Sequence, residues 1–310
     1  MYTRRDFAKA ALASLPLLNA ACGKRDAADQ VVTIGVQLYS FRDLPHDLSL
    51  IIKAMTDIGL TSCELWSTII HPIALPPFYG NPGTPALVPA LQKDREAVRQ
   101  WRETVPMDVF KEMRKKFNDA GIDVYAYNYS FNESFSDGEI NRGFEMADTL
   151  GAKFITASTT FHSVERVVPY AEKHRFRVAV HGHVAVGDPN EFGSPESFSR
   201  AMALSKYIWV NLDIGHFSAA GYDPVQYIRE SHARISNIHL KDRIKDNPVP
   251  WDSSNDLKWG WGNTPIKETL QLLKKEQYPI PAMIEYEYDA KGGPVEETRR
   301  CYEYCKAALA

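Results

Sequence analysis

Eight short β-rich runs, each followed by a helical stretch, constrain this chain more than any other feature. The runs are VVTIGVQLYSF (31–41), SCELW (62–66), DVYAYNYSF (123–131), KFITAST (153–159), RVAVHGHVA (177–185), IWVNLDIGH (208–216), ISNIHLKD (235–242) and AMIEYEY (282–288). Amphipathic patterning places helices over 47–58, 107–120, 140–150, 163–173, 194–205, 224–231 and 266–275, with a last one over 295–309. Gly59, Gly121 and Gly151 stand at helix-to-strand turns. Eight βα units in a chain of 310 residues are the count for an α/β protein of a single (β/α)8 barrel. A doubly wound sheet is the alternative, but no Gly-rich phosphate loop follows the first run.

Residues 67–105 break this rhythm. Pro72, Pro76, Pro77, Pro82, Pro85 and Pro89 precede a charged helical run over 92–102. An insertion after strand 2 lies on the face where barrel strands end. It reads as a lid or substrate-binding loop, with a surface decoration as the alternative.

The N-terminus reads as a processing segment. TRRDFAK (3–9) matches the twin-arginine export signal, an Arg pair followed by an aromatic and a Lys, with Ala8 as its one departure. The apolar stretch 10–18, interrupted by Pro16, is too short to span a bilayer and fits a signal core. Residues 1–22 are thus expected to direct export to the periplasm, 23–30 to form a tether and 31–310 the barrel. Cys22, after Ala20 and Ala21, is a candidate for a lipid anchor, although Asn19 departs from that motif. Such a lipid would be the chain's membrane attachment. The other cysteines, Cys63, Cys301 and Cys305, make no disulfide framework and read as packing residues. Removing residues 1–22, with Arg4, Arg5, Lys9 and Asp6, takes +2 from a formal charge of −3 and leaves the rest near −5. That balance argues against a nucleic-acid partner, because phosphate binding needs a basic surface.

In such a barrel the chemistry sits where strands end. Strand 5 ends with His181 and His183, strand 6 with Asp213 and His216, strand 7 with His239, Lys241 and Asp242, and strand 8 with Glu285 and Glu287. Strand 2 offers Glu64. Side chains at i and i+2 share a strand face, so each pair points one way. Four neighbouring strands then deliver imidazoles and carboxylates to one cavity, a mixed nitrogen and oxygen site for a divalent metal. The expected ligands are His181, Asp213, His239 and Glu285. The alternative is that these residues solvate the rim or pair with one another.

NLDIGHFSAAGYDPVQYI, NIHLKD, WGWGNTPIKETLQLL and PAMIEYEY resemble the xylose-isomerase-type TIM barrels of the sugar isomerase/epimerase-like family. The resemblance covers about residues 31–309 and is strongest over 208–288. It implies one divalent metal held by Glu, Asp, His and Glu from strands 5 to 8. Asp213, His239 and Glu285 match the last three, while His181 stands where relatives carry the first Glu. The form is similar to a His-Asn-His variant, with Gly182 in the middle position. A nitrogen ligand in place of an oxygen favours Mn, Fe, Co or Zn over Mg.

With the export motif at 3–9, the resemblance implies an exported enzyme that removes a proton next to a carbonyl of a carbohydrate. Epimerases of this kind use two metal-bound Glu residues, one on each face of the reacting carbon. With His181 in place of one of them, lyase or hydratase action on 3-keto-glycosides by β-elimination competes with isomerisation or epimerisation. A non-catalytic sugar-binding barrel and an endonuclease-like relative are the other readings. Glu285, Lys241 and Glu64 are the acid/base candidates, beside His183 or His216. His183, His216, Trp259, Trp261 and Asn128 are expected to face substrate, as are Tyr39 and Ser158.

Overall fold

The computed structural model describes residues 32–70, 89–184, 187–247, 256–289 and 291–310. The expected export signal, tether and Cys22 lie outside them, as does most of the proline-rich part of the insertion.

The eight strands form a closed parallel barrel in sequence order: β1 (Ile34–Gln37), β2 (Ser62–Trp66), β3 (Asp123–Asn128), β4 (Phe154–Ser158), β5 (Val178–His181), β6 (Ile208–Asp213), β7 (Ile235–Leu240) and β8 (Ala282–Ile284). β8 pairs back onto β1 through Ile34 and Ala282. The expected α/β barrel is therefore the fold. The outer layer holds α1 (Leu48–Ile58), α2 (Pro89–Thr104), α3 (Met107–Asp119), α4 (Asp137–Leu150), α5 (Phe161–His174), α6 (Pro195–Leu204), α7 (Ile214–Ala219), α8 (Pro224–Ser231), α9 (Ile266–Glu276) and α10 (Pro294–Leu309). Gly59 and Gly151 end α1 and α4 in the left-handed conformation that the sequence pattern implies.

Outward strand residues such as Val180, Val210, Leu212, Ile238 and Leu240 join the helices in the main core. Tyr125, Ala126, Phe154, Ala179 and Met283 form a smaller apolar cluster. Tyr125 ties β3 to β7 with a hydroxyl bond of 2.8 Å to the Ser236 carbonyl. The strands are shorter than the apolar runs suggest. β5 stops at His181 and β8 at Ile284, so His183, His216, Lys241, Glu285 and Glu287 lie just beyond strand ends. Two register shifts fall between Cys63 and Glu64 and between Val210 and Asn211. Such irregularities re-aim side chains, and here both adjoin residues of the polar interior.

Within the insertion, the charged run is helix α2, fixed against the outer layer by a buried ion triad. Glu139, in the first turn of α4, takes Arg95 at 2.6 Å and Arg102 at 3.1 Å. The same carboxylate closes a capping box with Ser136, and Arg102 also lies over the Tyr129 and Phe135 rings. This part is thereby fastened to the barrel wall; the rest of the expected lid falls on 71–88, outside the described residues. An Arg102→Met variant is expected to lose roughly 1.5–3 kcal/mol, the worth of a hydrogen bond to a charged group. The urea midpoint checks this, and metal uptake should not change.

Candidate metal centre

The barrel interior converges on one carboxylate. Glu64 of β2 is fully buried, and six donors from five other strands surround it. Oε1 accepts from Gln37 Nε2 (2.6 Å), Asn128 Nδ2 (3.2 Å) and Thr156 Oγ1 (2.7 Å). Oε2 accepts from Asn211 Nδ2 (3.1 Å), Asn237 Nδ2 (2.7 Å) and His239 Nε2 (2.8 Å). This corrects two expectations. Glu64 is not a base open to substrate, because its lone pairs are filled from every side. Asn128 binds Glu64 and lies 3.3 Å from Thr156 Oγ1, so its amide belongs to the packed interior instead of a hydroxyl-recognition surface.

Beside this network, His181, Asp213, His239 and Glu285 come together. One ligand atom from each lies within 4.8 Å of the others, and all four residues are buried. The register explains it: Asp213 pairs with His239 across β6 and β7, and His181 sits opposite Asn211 on β6. Asp213 also caps α7, its Oδ1 accepting from the His216 amide at 2.8 Å. Its Oδ2 has no hydrogen bond, with the Lys241 ammonium 3.2 Å and His216 Nε2 3.8 Å away. Two imidazoles, two carboxylates and an under-satisfied buried carboxylate oxygen fit a divalent cation of the first transition row. The four residues expected as ligands can therefore hold a metal.

The electrostatics are those of a dense buried network. Burial opposes charge on His239, but Glu285 (2.9 Å from Nδ1) and Glu64 hold its proton well above the ordinary imidazole range. Burial likewise opposes charge on Lys241, yet Asp213, Glu285 (3.2 Å) and Glu287 (2.9 Å) outweigh it and raise its pKa. Glu285 is pushed up by burial and drawn further down by His239 and Lys241, ending well below the usual carboxylate range. His181 is lowered to about 3 by burial and by the His239 and His183 rings. His216 is lowered by burial and by Lys241 and Arg243, which face its two nitrogens at 3.2 and 2.6 Å.

The residues expected to face substrate divide. The His183 ring lies 4.9 Å from that of His181 and 5.6 Å from that of His216, so these three line one side of the cluster. His183 comes there through the loop, its amide bonding the Phe192 carbonyl (3.1 Å), and not as the i+2 residue of a strand. Trp259 is a correction: it is buried in the core with its ring edge-on to Tyr304 of α10, 5.7 Å away. Trp261, 76% exposed, projects from the same loop. Asp242 shapes that loop by accepting from the Gly260 (2.8 Å) and Gly262 (3.0 Å) amides. Tyr39 is raised to about 12 by burial and the nearby Glu287, and its ring meets that of Trp66 at 5.0 Å. Ser158 ends β4 opposite His181, its amide bonded to Ser130 Oγ at 3.1 Å.

Sequence reasoning passed over Asn211, Asn237, Glu191 and Arg243. The two asparagines carried a usable signal, since each sits two residues before a ligand on the same inward face of an apolar strand. Glu191, 3.6 Å from His183 Nδ1, comes from a loop and left none.

Gly182 explains where this chain departs from the His-Asn-His form. A Cβ there would stand 2.6 Å from the Phe192 carbonyl oxygen and 2.7 Å from Phe198 Cζ. A Gly182→Asn variant is therefore expected to overpack the β5 end and to cost about 1–3 kcal/mol. An unchanged urea midpoint would refute this.

Residues 88–306 match the sequence profile of the family described as xylose isomerase-like TIM barrel. An inosose dehydratase of Mesomycoplasma hyopneumoniae (strain 7448) is 26% identical over 156 residues, 46% of this chain and 51% of its own length. The chain thus spans about half the length of the curated relatives it matches. A 3-keto-D-glucoside 4-epimerase from E. coli has a similar structure, with a TM-score of 0.59 at 12% identity, covering 89% of this chain and 99% of its own. An IOLI protein solved with a bound zinc atom has a TM-score of 0.61 at 14% identity, covering 89% of this chain and 97% of its own. At such identities the structural likeness is one of fold.

Proposed function

We propose that this chain, which belongs to the xylose isomerase-like TIM-barrel family, is a divalent-metal-dependent enzyme that removes a proton next to the carbonyl of a sugar or cyclitol and expels a hydroxyl from the adjoining carbon. One observation carries the reading: the centre is chemically lopsided. Glu285 and the Lys241 ammonium, 3.2 Å apart, stand together as a carboxylate and an acid, while on the β5 side the cluster offers the imidazole of His181.

A cation held by His181, Asp213, His239 and Glu285 would supply Lewis acidity to the substrate carbonyl oxygen. Glu285 takes the proton from the neighbouring carbon, and the C–H electron pair passes into an enolate. That pair then forms the new C=C bond as the β C–O bond breaks. Lys241, held charged by three carboxylates, gives the departing hydroxyl its proton, so that water leaves. His216, kept uncharged by burial and the neighbouring Lys241 and Arg243, and the nearby His183 hold substrate hydroxyls. The match to inosose dehydratases supports elimination as the outcome. Isomerisation or epimerisation is the second reading, favoured by His183 beside Glu191, which can place an acid/base pair on the β5 side.

Two imidazoles in the donor set favour Mn, Fe, Co or Zn over Mg. The motif at 3–9 supports export by the twin-arginine route to the periplasm, and Cys22 a lipid anchor there. The test is incubation of metal-loaded protein with an inosose and with a 3-keto-glucoside in D2O. Loss of water from the ketone, abolished by a chelator, is the expected result. Deuterium uptake without loss of water would move the reading to isomerisation. Binding with neither would make this a sugar-binding barrel.

A further inference from the structure

We propose that Glu64, which touches neither substrate nor metal, is the positioning residue that decides which ring nitrogen each imidazole of the centre offers to the cation. The inference rests on the metal-binding reading and adds to it an assignment of atoms.

A carboxylate has no hydrogen to give, so every group that faces it at hydrogen-bonding distance must donate. Glu64 imposes that condition on six side chains at once. At His239 the nitrogen 2.8 Å from Glu64 is Nε2, which must carry the hydrogen. When a cation is bound, the lone pair of His239 is then at Nδ1, which faces the cluster and otherwise carries a second hydrogen, 2.9 Å from Glu285 Oε2. At Asn211 the group 3.1 Å from Glu64 is the NH2, so the amide oxygen points the other way. That oxygen lies 3.2 Å from His181 Nδ1, which must donate to it. The lone pair of His181 is then at Nε2. The two imidazoles therefore offer opposite nitrogens, His239 through Nδ1 and His181 through Nε2, and one buried anion specifies both.

The remaining partners stiffen the device. Asn237 turns its NH2 to Glu64 at 2.7 Å, and its oxygen accepts from Ser236 Oγ at 2.6 Å. Gln37 and Thr156 hold the other carboxylate oxygen from the opposite side of the barrel. Glutamine cannot replace this group. Whichever way it is turned, its NH2 meets three donors, and either the His239 arm or the Gln37 arm loses its acceptor. Groups that orient a metal-ligating histidine in this way typically carry 10- to 100-fold in metal affinity.

The test uses the full chain with 15N-labelled histidine, loaded with zinc. Long-range proton–nitrogen correlation spectra should show hydrogen on Nε2 and metal on Nδ1 for His239, and the reverse for His181. Glu64→Gln should lower zinc affinity, read by competition with a chromophoric chelator, by about 10- to 100-fold, and should scramble the His239 tautomer pattern. Zinc held through the opposite nitrogens in the wild-type chain overturns the proposal, as does a folded Glu64→Gln variant with unchanged affinity and spectrum. If that variant fails to fold, the wild-type spectra alone decide. Wild-type protein that takes up no zinc overturns the metal-binding reading and this proposal with it, whereas uptake through the wrong nitrogens overturns this proposal alone.

Discussion

Replacing Glu285 by glutamine is expected to slow loss of water from a keto-sugar by about 10²- to 10⁴-fold, the usual worth of a positioned general base. Glutamine keeps the shape and one ligand oxygen of the side chain but cannot take a proton. It also removes the charge that now faces both His239 Nδ1 (2.9 Å) and Lys241 Nζ (3.2 Å). The measurement is single-turnover loss of water from substrate by metal-loaded protein, with metal content determined on the same samples. A large fall in rate at nearly full metal occupancy is the expected pattern. A variant with full occupancy and a rate within a few-fold of wild type would remove Glu285 from the mechanism. The base would then have to be sought at Glu287 or at the His183 and Glu191 pair.

The largest effect on stability is expected from His239→Ala. In chelator-treated protein this change leaves Glu64 and Glu285 without the cation that lies between them, and breaking a buried pair of this kind costs roughly 3–5 kcal/mol. The pH dependence follows from the two shifts. His239 is raised above its ordinary value of 6.5, so its contribution is complete below 6.5 and fades as pH rises through the higher folded value. Glu285 is lowered below its ordinary value of 4.5, so its contribution is complete above 4.5 and fades as pH falls through the lower folded value. The difference between variant and wild type should therefore be widest between those two ordinary values and narrow on either side. Urea denaturation across the pH range checks this. A constant difference would mean that the loss is one of packing alone.

The four cluster residues were legible because each closes an apolar run, and strand periodicity says that such residues look inward at a barrel mouth. Glu64 was legible as an inward carboxylate, yet its role was not. What separates a base from a buried hub is the number of donors that reach it, and those arrive from strands up to 175 positions away in the chain. Trp259 failed for a related reason. A tryptophan in a loop between glycines reads the same whether it meets a sugar or a helix, and only the placement of Tyr304 on α10 decides that it packs. His183 was expected at the site for the wrong reason, since β5 ends before it and the bond to Phe192 carries it there.

By itself the sequence determined the repeating unit, the closure of eight such units into a barrel, and the ligand types at four successive strand ends. These are local properties: apolar period, turn residues and the chemistry of a side chain at the end of its run. Only the tertiary structure decided what those ligands rest on. Gln37, Asn128, Thr156, Asn211, Asn237 and His239 come from five strands, and only barrel closure aims them at one carboxylate. Hydrogen bonds between such distant residues leave no periodic trace in a chain, because their geometry is set by register and closure and not by spacing.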